Sequence, residues 1–376
     1  TAAPRGRPDD AAVARIVEFV RAHPRGVLAL GWGGGAQAST IARVAAATGW
    51  PVLADPISNL RTGAHAISTY EALLRSGGFA RSHVPDLVVR VGAPLTSKVA
   101  QAWLDGSGAP TVVVDPQDAW LDPTGTASER IVAGADATLG VIADARTEPD
   151  ADGAAWCASW QAAEHAAREA IDRVLDAGPA CEGRIARDVA TAVPDGGALV
   201  VASSLPVRAL EWCMSPRSGL HVFANRGANG IDGFVSTARG IARADRGPVV
   251  ALCGDLCFLH DANGLLDTEG AAGATAGPTF VVIDNGGGGI FSYLPQHELP
   301  AAEFRRLFAT PQVTDVVELA RAHGVDAVRV DSVDDVDLLA AGGTRVVVVP
   351  VDPEAARDQH RRCWEAVARA AGRVDA

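Results

Sequence analysis

Short runs rich in β-branched and other apolar residues recur along the chain, separated by longer Ala-rich stretches with helical spacing. The runs fall at residues 27–30, 52–54, 87–91 and 112–114, and then at 199–202, 249–252, 280–283, 328–330 and 346–349. A strand that is apolar at every position has both faces covered, the condition of a parallel sheet between two layers of helices. The pattern predicts the α/β class, as two doubly wound parallel-sheet domains. Between Asp144 and Arg173 the strands stop, and a polar helical stretch runs through Trp156, Trp160 and Glu164 to Ala177-Gly178-Pro179. The domain boundary is expected there, giving 1–175 and 176–376.

Composition narrows the class without changing the fold. With 376 residues, 48% of them hydrophobic and 21% charged, two ordinary cores can be buried, which excludes disordered, collagen-like and fibrous chains. A formal net charge of −12 argues against non-specific binding to nucleic acid or to an anionic membrane. No apolar run approaches the ~18 residues that a membrane span needs. The opening TAAPRGRPDD has no apolar core like that of a signal peptide. A cytoplasmic protein acting on small molecules is expected. Cys157, Cys181, Cys213, Cys253, Cys257 and Cys363 form no CxxC pair and read as buried reduced thiols. Of the 33 basic residues only Lys98 is a lysine, so either a compact ammonium is wanted there or one was retained on a solvated loop.

In open parallel sheets ligands sit beyond the carboxyl ends of strands. One such loop, Gly31-Trp32-Gly33-Gly34-Gly35-Ala36, fits G-x-G-x-x-A, with Asp55 closing the next strand as in a dinucleotide site. Glycines at a strand-to-helix turn also serve tight packing, and an aspartate followed by Pro56 suits a turn. The second loop pair is more specific. The strand at 249–252 runs into Gly254-Asp255-Leu256, and 30 residues after Asp255 the next strand ends in Asp284-Asn285 and a run of four glycines. Neighbouring strands would then deliver a carboxylate and a carboxamide to one sheet edge, the oxygen donors that magnesium takes alongside substrate phosphates. The glycines let backbone approach a phosphate and leave the Gly287 carbonyl as a third ligand.

Gly254-Asp255 with Asn285 downstream resembles the magnesium and diphosphate motif of thiamine diphosphate enzymes, a GDG followed by paired asparagines. Leu256 stands for the third glycine and Asp284 for the first asparagine. Ser203-Ser204-Leu205-Pro206-Val207-Arg208, Asn225-Arg226-Gly227-Ala228-Asn229-Gly230-Ile231-Asp232-Gly233, and the stretch from Asn285 through Ile290-Phe291-Ser292 resemble one branch, the SEPHCHC synthases of menaquinone biosynthesis. Trp50-Pro51-Val52-Leu53-Ala54-Asp55-Pro56 and Gly92-Ala93-Pro94-Leu95-Thr96-Ser97-Lys98 resemble that family's middle domain.

The resemblance implies thiamine diphosphate with Mg2+ (or Mn2+) held by Asp255, Asn285 and the Gly287 carbonyl, with Gly254, Leu256, Ile231 and Gly288 against the cofactor. It implies decarboxylation of 2-oxoglutarate and conjugate addition to isochorismate. Ser204, Arg208 and Arg226 would face the keto acid, and Lys98 isochorismate, with Val99 where a basic neighbour is usual. Ile290, Phe291 and Leu294 would form an apolar wall. A homodimer or homotetramer is implied. The family's activating glutamate lies on a preceding pyrimidine-binding domain, whereas only about 26 residues precede the first strand here. None of Asp9, Asp10 and Glu18 sits in a matching context. The expectation is a fragment, one part of an enzyme whose separate chain carries that domain, or a binding protein, with the isolated chain nearly inactive. Two other readings are an acetolactate-synthase-like carboligase, which gives no reason for Lys98, Arg208 and Arg226, and a non-catalytic nucleotide-binding module on Gly31–Ala36 and Asp55.

Overall fold

A computed structural model describes residues 6–146, 148–244, 247–266, 277–335, 337–339 and 343–374. The chain divides into two compact units. The first runs to Asp172 and includes Ser215–Ser218 and the stretch from Trp364; the second holds Arg173–Met214 and Gly219–Cys363. A single boundary at 175 is the sequence expectation, and the two later segments of the first unit carry no apolar strand that would announce them.

The first unit contains β1 (Gly26–Leu30), β2 (Val52–Ala54), β3 (Leu87–Val91), β4 (Thr111–Val114) and β5 (Glu129–Ile131), ordered β2-β1-β3-β4-β5 and parallel throughout. Strands β1, β3 and β4 are buried along their whole length, which is why they read as apolar runs, interrupted only by Thr111 and by Arg90, whose buried guanidinium meets Asp122 at 3.4 Å. On one face Leu28, Leu30, Val89, Val91, Val112 and Val114 pack with Ile16 and Val20, Ile41 and Val44, and Leu139 and Ile142 from three helices. The polar stretch before the expected boundary is a helix, Ala151–Ala177, that carries core of its own. Trp156 and Trp160, one turn apart, are buried; Trp156 Nε1 donates to the Gly26 carbonyl at 2.9 Å, and Trp160 meets Phe79 edge-on at 5.0 Å. A further turn on, Glu164 accepts from the Thr69 amide at 2.8 Å.

The second unit contains β6 (Ala198–Val201), β7 (His221–Ala224), β8 (Val249–Gly254), β9 (Thr279–Asp284), β10 (Asp326–Arg329) and β11 (Arg345–Pro350), again parallel, ordered β10-β11-β9-β8-β6-β7. Val200, Ala251, Cys253, Phe280, Val282, Val346 and Val348 form its core with Phe234, Ala238 and Ala320 from helices. From β6 the chain winds outward to β7, then crosses back to β8 on the other side of β6. The loops leaving β6 and β8 therefore diverge, and a crevice opens between them at the carboxyl edge.

Strands β5 and β7 are absent from the hydropathy pattern. Both are outermost in their sheets, and both are partly exposed, so neither needs a continuous apolar run. All six cysteines are buried, and none is in a disulfide. No described helix is long and apolar enough to cross a membrane.

Candidate functional site

A cleft of about 210 Å3 occupies the crevice of the second unit. Its walls come from the turn after β6 (Ser203, Ser204), the loop after β7 (Ile231), the β8 end (Gly254, Asp255, Leu256) and the loop after β9 (Asn285, Gly287 to Phe291). Register sets the centre, because Gly254 pairs with Ile283 and Asp255 and Asn285 leave adjacent strands side by side.

Asp255 begins the short helix Asp255–His260 and is 5% exposed. Its carboxylate accepts from the Leu256 amide at 2.7 Å and is faced by the Gly287 N–H. Burial pushes this carboxyl up to about 6, with repulsion from Asp284 adding and the two amides opposing. A buried acid held near neutrality in this way is relieved when a cation binds beside it. Asp284, at the position of the usual first asparagine, pairs instead with Arg329 at 2.9 Å.

Asn285 Nδ2 donates to Glu182 Oε1 at 2.9 Å, while Asn285 Oδ1 is buried without a hydrogen-bond partner among the described residues. Native structures rarely leave a buried carbonyl oxygen unsatisfied, and a divalent cation is one group that satisfies it. Among the described residues no group of three His, Cys, Asp or Glu side chains could hold a metal ion. A cation here takes one carboxylate and neutral oxygens, the set that suits magnesium with phosphate oxygens completing its sphere. The residues present fit a magnesium diphosphate.

The glycine run has a packing cause that differs in part from the sequence reading. A Cβ on Gly287 would lie 1.9 Å from the Ala309 carbonyl oxygen, and one on Gly288 2.3 Å from that of Phe308. The Gly288 amide donates to Ala309 O at 2.7 Å. These glycines are needed because the backbone of 308–309 lies against them. A Cβ on Gly289 would lie 2.2 Å from Asn285 Nδ2. The Gly287 carbonyl is not free as expected, since it accepts from the Gly289 amide at 2.8 Å, leaving one lone pair for a cation.

Of the residues singled out in the sequence, Ser204, Ile231, Gly254, Asp255, Leu256, Asn285, Gly287, Gly288, Ile290 and Phe291 share this cleft. Arg208, Arg226 and Leu294 are not among its lining residues. Arg208, in helix Leu205–Cys213, donates to the Ser204 carbonyl at 2.6 Å, and Arg226 is exposed on the loop after β7. Lys98 belongs to the first unit, exposed at the head of helix Lys98–Gly106, whose cap is Ser97. His260 pairs with Asp232 at 2.6 Å on the surface. Sequence reasoning missed Glu182, the first residue of helix Glu182–Ala192, 3% exposed in the cleft wall. Its only signal is a carboxylate just after Gly178-Pro179, where a helix-capping charge is ordinary.

The other candidate loop is closed to a nucleotide. A Cβ on Gly31 would lie 1.7 Å from Ala93 O, and one on Gly92 2.6 Å from Trp32 O, so the loops after β1 and β3 pack backbone to backbone. Asp55 is 1% exposed and spends its oxygens on the Ile57 and Thr96 amides at 3.2 and 2.9 Å. At the following helix the Gln37 amide, where a diphosphate would dock, donates to Asp136 at 2.9 Å. The nucleotide-module reading of Gly31–Ala36 and Asp55 is corrected: the glycines and the aspartate are structural.

Residues 9–201 match the family described as "Middle domain of thiamine pyrophosphate", and residues 209–347 match "Thiamine pyrophosphate enzyme, C-terminal TPP binding domain". The chain belongs to the thiamine pyrophosphate enzymes, over that family's middle and C-terminal domains. Within the family it is similar to proteins named 2-succinyl-5-enolpyruvyl-6-hydroxy-3-cyclohexene-1-carboxylate synthase. The one from Myxococcus xanthus is 38% identical, over 98% of this chain and 64% of its own length. That of Thermobifida fusca is 43% identical over 87% and 57%, and that of Halobacterium salinarum 36% over 89% and 57%. The chain thus spans 57–64% of the length of these curated relatives.

Proposed function

We propose that this chain forms the diphosphate- and metal-holding part of a SEPHCHC synthase, which decarboxylates 2-oxoglutarate and adds the remaining four-carbon unit to isochorismate. The observation that carries the reading is one cleft holding the buried Asp255 carboxylate and the partnerless Asn285 oxygen at the ends of adjacent strands. Asp255, Asn285 Oδ1 and the second lone pair of the Gly287 carbonyl would hold Mg2+ or Mn2+. Thiamine diphosphate, when bound, supplies the nucleophilic carbon and the electron sink of such reactions.

The chain's own residues supply position and exclusion of water. Ile231, Leu256, Ile290 and Phe291 give the cleft apolar walls, which keep water from a reactive carbon. Ser204 offers a hydroxyl in the same wall. Arg208 and Arg226 carry forked donors suited to the carboxylates of 2-oxoglutarate, and Leu294 adjoins the apolar segment. Lys98 is assigned to isochorismate, itself a dicarboxylate. A lysine in the first turn of a helix opposes the helix dipole, so its presence there calls for a gain elsewhere. The family supports two or four copies working in the cytoplasm, which sedimentation would measure.

Calorimetric titration of the chain with thiamine diphosphate, in magnesium and in EDTA, tests the site. Binding that needs magnesium and is lost in Asn285→Ala is expected; binding indifferent to both would overturn the reading. The substrate assignment is tested in the enzyme that carries this chain, where 2-oxoglutarate should be consumed with isochorismate and pyruvate should not. Preference for pyruvate would favour an acetolactate-synthase-like carboligase.

A further inference from the structure

Glu182 belongs to no motif of the cleft, yet among the described residues it is the acceptor for the Asn285 donor end, with Oε1 2.9 Å from Nδ2. A carboxamide has one donor end and one acceptor end. With the donor end tied to a carboxylate, the acceptor end turns the other way, and that oxygen is the one buried without a partner among the described residues. Rotating the amide by half a turn would set its oxygen against the Glu182 carboxylate, acceptor against acceptor. Burying a carboxylate at 3% exposure costs more than burying an apolar side chain of the same volume; its place in the first turn of a helix favours an acidic residue, but an exposed carboxylate serves that end as well and does not require the burial. Asp255 has separate donors in the Leu256 and Gly287 amides and does not share the Glu182 bond.

We propose that Glu182 is a positioning residue, which locks the Asn285 carboxamide so that its oxygen is presented to the divalent cation. The proposal rests on the reading of the cleft as the metal and diphosphate site. Acceptors that orient metal ligands in this way are typically worth ~10–100-fold in metal affinity.

The test is Mn2+ binding, read by electron paramagnetic resonance in the presence of thiamine diphosphate, for the full chain and for variants that keep the native near-ultraviolet spectrum. Glu182→Met should weaken Mn2+ binding by about 10- to 100-fold. Glu182→Gln, whose side-chain oxygen accepts the same bond, should stay close to wild type. The double variant Glu182→Met/Asn285→Ala should bind no more weakly than Asn285→Ala, because Glu182 acts only through Asn285. A second readout needs no variant: the Asn285 side-chain amide resonance, assigned by its loss in Asn285→Ala, should keep its carboxylate-bonded shift when Mg2+ is added. Wild-type affinity in Glu182→Met beside weakened binding in Asn285→Ala would overturn the proposal, as would additive losses or a shift abolished by Mg2+. Wild-type binding by both Asn285→Ala and Asp255→Ala would overturn the reading of the cleft itself, and the role of Glu182 with it.

Discussion

Arg208 donates from Nη1 to the carbonyl of Ser204 across 2.6 Å, tying a guanidinium to the turn by which the chain leaves β6. Ser204 has φ 73 and ψ −131, unlike Asn59 and Thr310, whose positive φ values lie in the ordinary left-handed region. An L residue held there stores strain, and strain of this kind gathers where a side chain must be aimed. The result is a hydroxyl in the cleft wall, braced from below by an arginine on the next turn of helix.

Replacing Ser204 by glycine removes that strain. Relief of order 1–3 kcal/mol, less the 0.5–1 kcal/mol entropic cost of a glycine, predicts a net gain of about 1 kcal/mol, read as a higher urea midpoint. Affinity for 2-oxoglutarate should fall in the same variant. A lower midpoint would show that the turn is relaxed.

Asp255 should destabilise the metal-free fold at neutral pH. Its folded pKa of about 6 lies above the ordinary 3.8, so its contribution is fully present below pH 4 and is lost as pH rises through 6. At 1.36 kcal/mol per unit the loss is on the order of 3 kcal/mol. Asp255→Asn should therefore melt higher than wild type at pH 8 and no higher at pH 3.5, measured without divalent ions. Stabilisation by added magnesium diphosphate should appear in the wild type alone, and should fade as pH drops through 6.

Gly287→Ala should be severe. The new Cβ meets the Ala309 carbonyl oxygen at 1.9 Å, at a φ of 119 that L residues avoid. Backbone cannot yield there as a flexible side chain would, and a loss above about 2 kcal/mol is expected. Thermal unfolding measures it. Gly286→Ala, where φ is positive but no atom lies within 4 Å, should cost less.

Lys98→Glu separates stability from function. A negative charge in the first helical turn should stabilise the fold by about 0.5 kcal/mol, while affinity for isochorismate falls in the assembled enzyme. A variant that loses stability and keeps that affinity would remove Lys98 from the site.

Asp55→Ala should cost stability alone, since it strips two buried amides of their acceptor. Thiamine diphosphate affinity should be unchanged, and neither NAD nor FAD should bind the parent chain.

What could be read from sequence followed from how strongly each position is constrained. Strands buried on both faces, such as β3 and β9, must be apolar over most of their length and declare themselves, even with Arg90 inside β3. The edge strands β5 and β7 answer to one neighbour and to solvent, and Glu129-Arg130-Ile131 carries no periodic signal. Asp255 and Asn285 were legible because a strand end, a spacing and a donor type coincide. Glu182 was not, because its meaning depends on a contact 103 residues away. The glycines at 287 and 288 stand out in the sequence as a phosphate loop, but the backbone of 308–309 that crowds them, some twenty residues downstream, leaves no mark there.

The near-total replacement of lysine by arginine has a practical chemical corollary. Lys98 is the chain's only ε-amine, and it is exposed, so an acylating dye applied at a pH high enough to free lysine has one side chain to modify without any mutagenesis, apart from the more acidic α-amine. A fluorophore or spin label set there would report directly on what approaches the head of that helix.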